Sequence, residues 1–343
     1  MKAKPKHLRN MPGRSRGFSL IELMVALLVG LVVVAAAGGI FISNKRTYNA
    51  TETLGRIQEN GRVAFELMAR ELREAGGTAC GKNIPIANVL KNTAAFDYSW
   101  GDGIRGYDGN QAVAAAPFGT GVGQRVAGTD AFEFRGSADA GVTVSKHVPA
   151  SATIFTNTTN HGFEVGDILL ICDYSQGSIF QMSGPTATGS LQVVHNTGNS
   201  QTPGNFCKAL SFPVDPDCGS KPKDGKQYAD NAVVAKFAAA VWYIGNNGRG
   251  GRSLYRRNML NTPEEVTEGV QDMQLTYLVP GAASYVAASS VTGAGWRDVN
   301  SVRLELDLVA VAGVQSANEI RGTDGAALSR RLSHVVSLRN RTP

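Results

Sequence analysis

Residues 23–42 (LMVALLVGLVVVAAAGGIFI) contain no charged side chain. At 1.5 Å per helical residue the run reaches about 30 Å, the thickness of the hydrocarbon core of a bilayer. Apolar residues fall on every side of such a helix, which leaves it no polar face to turn to water. The pattern then changes. No proline occurs between residues 43 and 75, and Leu54, Ile57, Gly61, Ala64, Met68, Leu72 and Ala75 recur at spacings of three and four. That is one apolar stripe, with Glu52, Arg56, Glu59, Arg62, Glu66, Arg70 and Arg73 around the rest of the helix. Gly76-Gly77 is a stop signal, because glycine is favoured just past a helix C-terminus. Residues 18–75 thus predict one continuous helix of roughly 85 Å, half uniformly apolar and half striped.

Beyond it the period drops to two. Residues 131–135 (AFEFR) alternate, residues 167–172 (DILLIC) form an apolar run, and residues 178–182 follow it after a short polar turn. Residues 233–244 and 254–257 flank the turn GNNGRGGRS, and Val302, Leu304, Leu306 and Leu308 alternate with Arg303, Glu305 and Asp307. Alternation predicts strands with one packed and one wet face, and Gly/Asn turns predict antiparallel hairpins. The fold class is therefore α+β: a long N-terminal helix packed on an antiparallel β-sheet head.

Charge narrows the function classes. The formal net charge is +6, but residues 1–17 hold six basic residues and no acid. Of 34 basic residues in all, 28 then remain against 28 acidic ones, so the chain beyond residue 17 is balanced. The basicity belongs to a leader that the positive-inside rule keeps in the cytoplasm, and it makes no case for direct nucleic-acid binding. The head is then sent outward, where cysteines form disulfides. Four cysteines allow three pairings. Cys207 and Cys218 flank a short polar stretch and can close locally, in which case Cys80 pairs with Cys172 and ties the helix end to the sheet. No CxxC, HExxH, GxSxG or Walker loop is present, so no catalytic residue, cofactor or metal is assigned. Two weaker features compete with structural roles. Asp97, Asp102, Asp108, Asp215, Asp217, Asp224 and Asp230 offer oxygen ligands for calcium but sit in turn-forming contexts. Arg249, Arg252, Arg256 and Arg257, with Tyr255, offer phosphate contacts but more simply make a solvated hairpin edge.

The junction of leader and apolar run is the most specific feature. Arg16-Gly17-Phe18-Ser19-Leu20-Ile21-Glu22 places one carboxylate near the start of a segment that otherwise excludes charge. A carboxylate at the centre of such a helix costs about 2.5–3.5 kcal/mol, and less near an end. A new α-amino group at Phe18, created by cleavage after Gly17, would give it a partner. GFSLIE followed by this run resembles the class III signal of type IV prepilins and pseudopilins. The resemblance implies cleavage after Gly17 by a prepilin peptidase, N-methylation of Phe18, and neutralisation of a neighbouring subunit's amine by Glu22 in the fibre. Two alternatives remain: a secretory signal cut near Ala35-Ala36-Ala37, and a plain anchor with Glu22 snorkelling to the interface.

A second resemblance covers more of the chain. Residues 56–81 (RIQENGRVAFELMARELREAGGTACG), GDILLICDYSQGSIFQ from Gly166, VTEGVQDMQLTYL from Val266 and the terminal SHVVSLRNR are similar to the minor pilin family PilW. Where many major pilins of type IVa carry a helix-bending proline, this chain has Gly39, beside Gly38. The resemblance divides the chain into leader (1–17), transmembrane or fibre-core helix (18–43), amphipathic helix (44–77) and periplasmic β-rich head (78–343). It implies a single-pass inner-membrane protein taken up into a type IV pilus at or near its tip, where it helps prime assembly. Its partners would be other minor pilins, the major pilin, a large tip adhesin, the prepilin peptidase and the inner membrane. Three other functions stay open: a minor pseudopilin of a type II secretion system, a tip module binding DNA or surfaces, and an anchored periplasmic enzyme.

Overall fold

A computed structural model describes residues 17–341, apart from 82–83, 188, 199–200, 219–224, 260–261, 312–324 and 326. Residues 1–16 of the leader and the calcium candidate Asp224 lie outside the described residues. The chain forms two compact units, Met1–Glu52 and Thr53–Pro343. Helix α1 (Leu20–Glu74) begins in the first and continues as the opening element of the second.

In the first unit α1 runs unbroken through Gly38 and Gly39. A Cβ added at Gly30, Gly38 or Gly39 would meet nothing within 4 Å. The helix keeps its geometry there because glycine, unlike proline, retains the N–H of the i→i−4 bond. Each large apolar side chain between Leu20 and Ile42 is more than half exposed.

The second unit contains fourteen strands among the described residues. They are β1 (Ile86–Asn88), β2 (Ile104–Tyr107), β3 (Ala131–Ser137), β4 (Val142–Val148), β5 (Thr153–Thr156), β6 (Ile168–Cys172) and β7 (Gly177–Gln181). The rest are β8 (Gln192–Val194), β9 (Val233–Asn246), β10 (Arg252–Asn258), β11 (Glu264–Glu268), β12 (Val270–Leu278), β13 (Ser301–Val309) and β14 (Ser329–Ser337). Strand β9 is the spine of the larger sheet. Its first residues pair with β4 and β6, and its later ones with β3 and β10. It therefore joins a helix-bearing layer to a second lobe, residues 142–232, built from β4 to β8 and the loops after them.

The helix-bearing layer follows from the stripe. Ile57, Ala64, Met68, Ala69, Leu72 and Ala75 share one core with Met273, Leu275 and Tyr277 of β12, Val302 to Leu308 of β13, and Phe132, Phe134 and Trp242 of the larger sheet. Strands β12, β13 and β14 form an antiparallel three-stranded sheet under the helix. Gly61 is small for a reason: a Cβ there would lie 2.5 Å from Leu332 Cδ1 and 3.2 Å from Leu308 Cδ1. Burial of each large stripe residue contributes about 1.5–3 kcal/mol. Leu54 departs from the expected stripe. It is 37% exposed, because it lies one turn before the sheet begins to cover the helix at Ile57.

Two strand expectations also change. The alternation of β3 suggested one wet face, yet Ala131 to Gly136 are all buried. Phe132 and Phe134 face the helix core, while Glu133 and Arg135 form a 3.0 Å ion pair on the other side, under a loop whose Phe96 ring lies 5.0 Å from the Arg135 guanidinium. Among the described strands the ladders are antiparallel except at β1, which adds to β7 in parallel. The second lobe holds its own core around Ile154, Leu169, Ile171, Phe180 and Val193. Disulfides join Cys80 to Cys172 (Cα–Cα 5.7 Å) and Cys207 to Cys218 (Cα–Cα 5.4 Å).

Candidate functional site

The segment around Gly17 is organised by helix capping. Ser19 stands at the N-cap, its carbonyl accepting from Leu23 N–H at 3.1 Å and its Oγ from Glu22 N–H at 3.2 Å. Serine at the cap with glutamate three residues on is the capping-box sequence, and the positive end of the helix dipole favours an acid in this first turn. In a medium without water an unmet N–H costs several kcal/mol, so the hydroxyl has most to contribute there. Phe18 is 83% exposed, and nothing lies within 4 Å of a Cβ built on Gly17. Among the described residues neither packs against another element.

In the head, the striped helix is fastened by more than apolar contact. Glu71 accepts from Trp242 Nε1–H on β9 and from the Arg256 guanidinium on β10, with Arg256 Nε at 2.9 Å. The same guanidinium lies 5.7 Å from the Trp242 ring centroid. Asn60 Nδ2 donates to the carbonyl of Glu268 at 3.0 Å, and the Phe65 ring lies 4.1 Å from that of His334. The far end is closed by the C-terminal motif. Arg339 N–H donates to Arg73 O at 3.1 Å, Asn340 Nδ2 donates to Glu74 O at 3.3 Å, and Gly76 N–H donates to Arg135 O at 2.9 Å. Gly76 adopts φ of 68°, which stops the helix as its sequence suggested. Arg341 reaches the carbonyls of Trp296 and Asp102, and its burial lowers its pKa to about 10. The last turn of a helix leaves carbonyls without partners, and SLRNR supplies them.

The arginines suspected of phosphate binding are engaged by the chain itself. Arg249 pairs with Glu265 and Glu268, Arg252 Nη1 donates to Gln271 O at 2.9 Å, and Arg257 pairs with Asp97 at 3.3 Å. Arg256 is the helix anchor rather than part of a solvated edge. The aspartates are engaged as well. Asp102 pairs with Arg297, Asp108 accepts from the N–H groups of Ala288 and Ser289, and Asp215 accepts from Asp217 N–H. Among the described residues no three His, Cys, Asp or Glu side chains converge as metal ligands.

What the sequence did not reveal is the meeting of Glu71 with Arg256, and that of His147 with His195. Nε2 of His147 and Nε2 of His195 lie 3.1 Å apart inside the second lobe. Forty-eight residues separate these histidines and 185 separate the ion pair. A helix glutamate within a heptad of like residues carries no local sign of a distant arginine.

Comparison with known families gives two matches. The family described as Type IV Pilus-assembly protein W matches residues 241–340, from the later part of β9 through the C-terminal cap. The prokaryotic N-terminal methylation motif matches residues 12–38, which span Gly17, Phe18 and Glu22. No curated protein and no solved structure shows significant similarity to the chain.

Proposed function

We propose that this chain is a type IV pilus minor pilin of the PilW family, a structural component anchored in the inner membrane and incorporated into the fibre, on the support of the two family matches. Prepilin peptidase cuts between Gly17 and Phe18 on the cytoplasmic side and the new N-terminus is methylated. The apolar half of α1 then holds the protein in the membrane until it is drawn into the fibre. There Glu22 meets the amine of a neighbouring subunit. In low dielectric an unpaired charge is strongly disfavoured and a pair is correspondingly favoured, so the contact selects axial register as well as affinity.

The observation that carries this reading is the contrast along α1. Its first turns expose apolar side chains on every side and begin with a capped carboxylate. Its last turns are locked to the sheet by the stripe, Glu71 and the C-terminal motif. The head is thus held firmly to the later turns of α1, while the apolar side chains of the earlier turns stay exposed. Such a subunit suits the start of the polymer, together with other minor pilins and a large adhesin at the tip. The internal pairing of Arg249, Arg252, Arg256 and Arg257 favours this assembly role over DNA capture by the same hairpin.

Deleting the gene should reduce surface pili while leaving membrane major pilin unchanged, and blocking retraction should restore part of the fibres. Glu22→Ala should leave membrane insertion intact and deplete the protein from sheared fibres. Normal abundance of Glu22→Ala in those fibres would reduce the carboxylate to a snorkelling anchor. Normal pilus number in the deletion strain, with loss of adhesion or DNA uptake, would favour the binding-module alternative.

A further inference from the structure

The second lobe contains a titratable pair that assembly does not use. His147 lies on β4, where it pairs with Ile154 of β5, and His195 follows β8. Both rings are buried, with relative exposures of 1% and 0%. Their hydrogen bonds fix both tautomers. Tyr228 N–H donates to His147 Nδ1 at 3.2 Å, so Nδ1 carries no proton and the neutral ring is protonated at Nε2. That Nε2–H donates to His195 Nε2 at 3.1 Å, which places the His195 proton on Nδ1. This Nδ1–H is buried and has no hydrogen-bond partner among the described residues.

The result is a one-way chain of donors: amide, first ring, second ring. Each nitrogen free to accept another proton, Nδ1 of His147 and Nε2 of His195, already faces an N–H. A proton arriving at either must break one of these hydrogen bonds and leave an imidazolium in an apolar core. Tyr228 and Phe180 pack against the rings at 5.8 and 5.3 Å, Lys208 adds positive charge, and among the described residues no carboxylate acts on either histidine. The Tyr228 hydroxyl is held by Ser178 and Gln176, and burial raises its pKa to about 12, so it stays neutral throughout.

We infer that His147 and His195 form an acid-sensitive latch, which holds residues 142–232 closed at neutral pH and releases them when the pair takes up protons. Desolvation lowers the pKa of both rings, and for His195 the neighbouring ring adds to the effect. Both folded values lie below the unfolded value of about 6.5. The latch therefore contributes fully above that pH. Its contribution falls as acid protonates the unfolded form first, and is gone once pH has passed through the folded values. Opening would expose Ile154, Phe163, Leu169, Phe180 and Val193, an apolar surface shown only in acid. The helix-bearing layer keeps its own core and has no such pair, so the response is confined to one lobe.

The test is hydrogen exchange of the full chain in detergent between pH 7.5 and 3.5, corrected for the intrinsic pH dependence of exchange. Peptides from 142–232 should lose protection while those from 268–310 retain it. Above pH 7 the open population should be constant, and between about pH 5.5 and 4.5 it should change about a hundredfold per pH unit, the slope of two protons. His195→Gln keeps an acceptor for His147 and leaves one buried ring, so its slope should fall to about tenfold. Should that variant fail to fold, NMR of histidine-labelled wild type decides the matter. Two rings should remain neutral from pH 7.5 to 5.5, one as the Nε2–H and one as the Nδ1–H tautomer. Titration of both rings near pH 6.5 without loss of protection would overturn the latch. Simultaneous opening of the lobe and the helix-bearing layer would overturn it equally.

Discussion

In α1, residues 20–42 expose apolar side chains on every side, whereas after Thr53 the buried positions are Ile57, Gly61, Ala64, Met68, Leu72 and the adjoining Ala69. The two stretches have the same backbone hydrogen bonds and answer to different solvents. A uniformly apolar surface has no preferred direction and suits lipid or a bundle of like helices. A stripe has one direction, and here it is met by β12, β13 and β14. Their acids differ as well. Glu22 sits at the capped N-terminus with no cation beside it among the described residues, and Glu71 is met by Trp242 and Arg256. The difference teaches that, among the described residues, the later half of the helix is packed against the sheet and the earlier half keeps its apolar side chains exposed.

The strongest way to break this comparison is to cut the stripe. Met68→Ala or Leu72→Ala should destabilise the head by about 2–5 kcal/mol in denaturant titration of the detergent-solubilised protein. Leu54→Ala, outside the sheet's cover, should stay within about 0.5 kcal/mol. Equal losses at Leu54 and Met68 would mean that the sheet covers a turn more of the helix than described. Membrane insertion should be unchanged in all three, since the apolar half is untouched.

Next in size is the polar anchor. Arg256→Met strands a partly buried carboxylate and should cost about 1.5–3 kcal/mol. Arg249→Met, whose partners lie on the exposed hairpin, should cost no more than about 1 kcal/mol. The pair of variants separates a fastening arginine from a surface one, and urea midpoints at unchanged m would read the difference. Smallest is the cap. Asn340→Ala removes one donor to the last turn and should lower stability by about 0.5–1.5 kcal/mol, read most cleanly as faster amide exchange at residues 72–76.

How far the sequence foretold this depended on the range over which its information acts. Periodicity is local, so the stripe, the stop at Gly76-Gly77 and the strands around Phe132, Leu170, Ile179, Trp242, Tyr255 and Leu306 were legible. GFSLIE was legible because a peptidase and a membrane read it as a linear signal. Partnerships across the fold were not. Alternation in β3 predicted a wet face, because Glu133 and Arg135 are polar; pairing with each other under Phe96 let both be buried. Three-residue β1 left no pattern, since its edge is supplied by β7 ninety residues later. The arginines near the Gly-rich turn looked alike, and only their acidic partners on α1 and β11 distinguish Arg256 from Arg249. His147 and His195 looked scattered for the same reason.

The claim that Glu22 meets the amine of a neighbouring subunit rests on what the N-terminus is in the mature protein. Intact mass and N-terminal peptide mapping of the membrane-extracted chain address it most directly. The account predicts a protein that begins at Phe18 with one added methyl group, five residues from the start to Glu22. A chain beginning at Gly38 would have lost Glu22 and most of the apolar half to a conventional signal peptidase, and would contradict it.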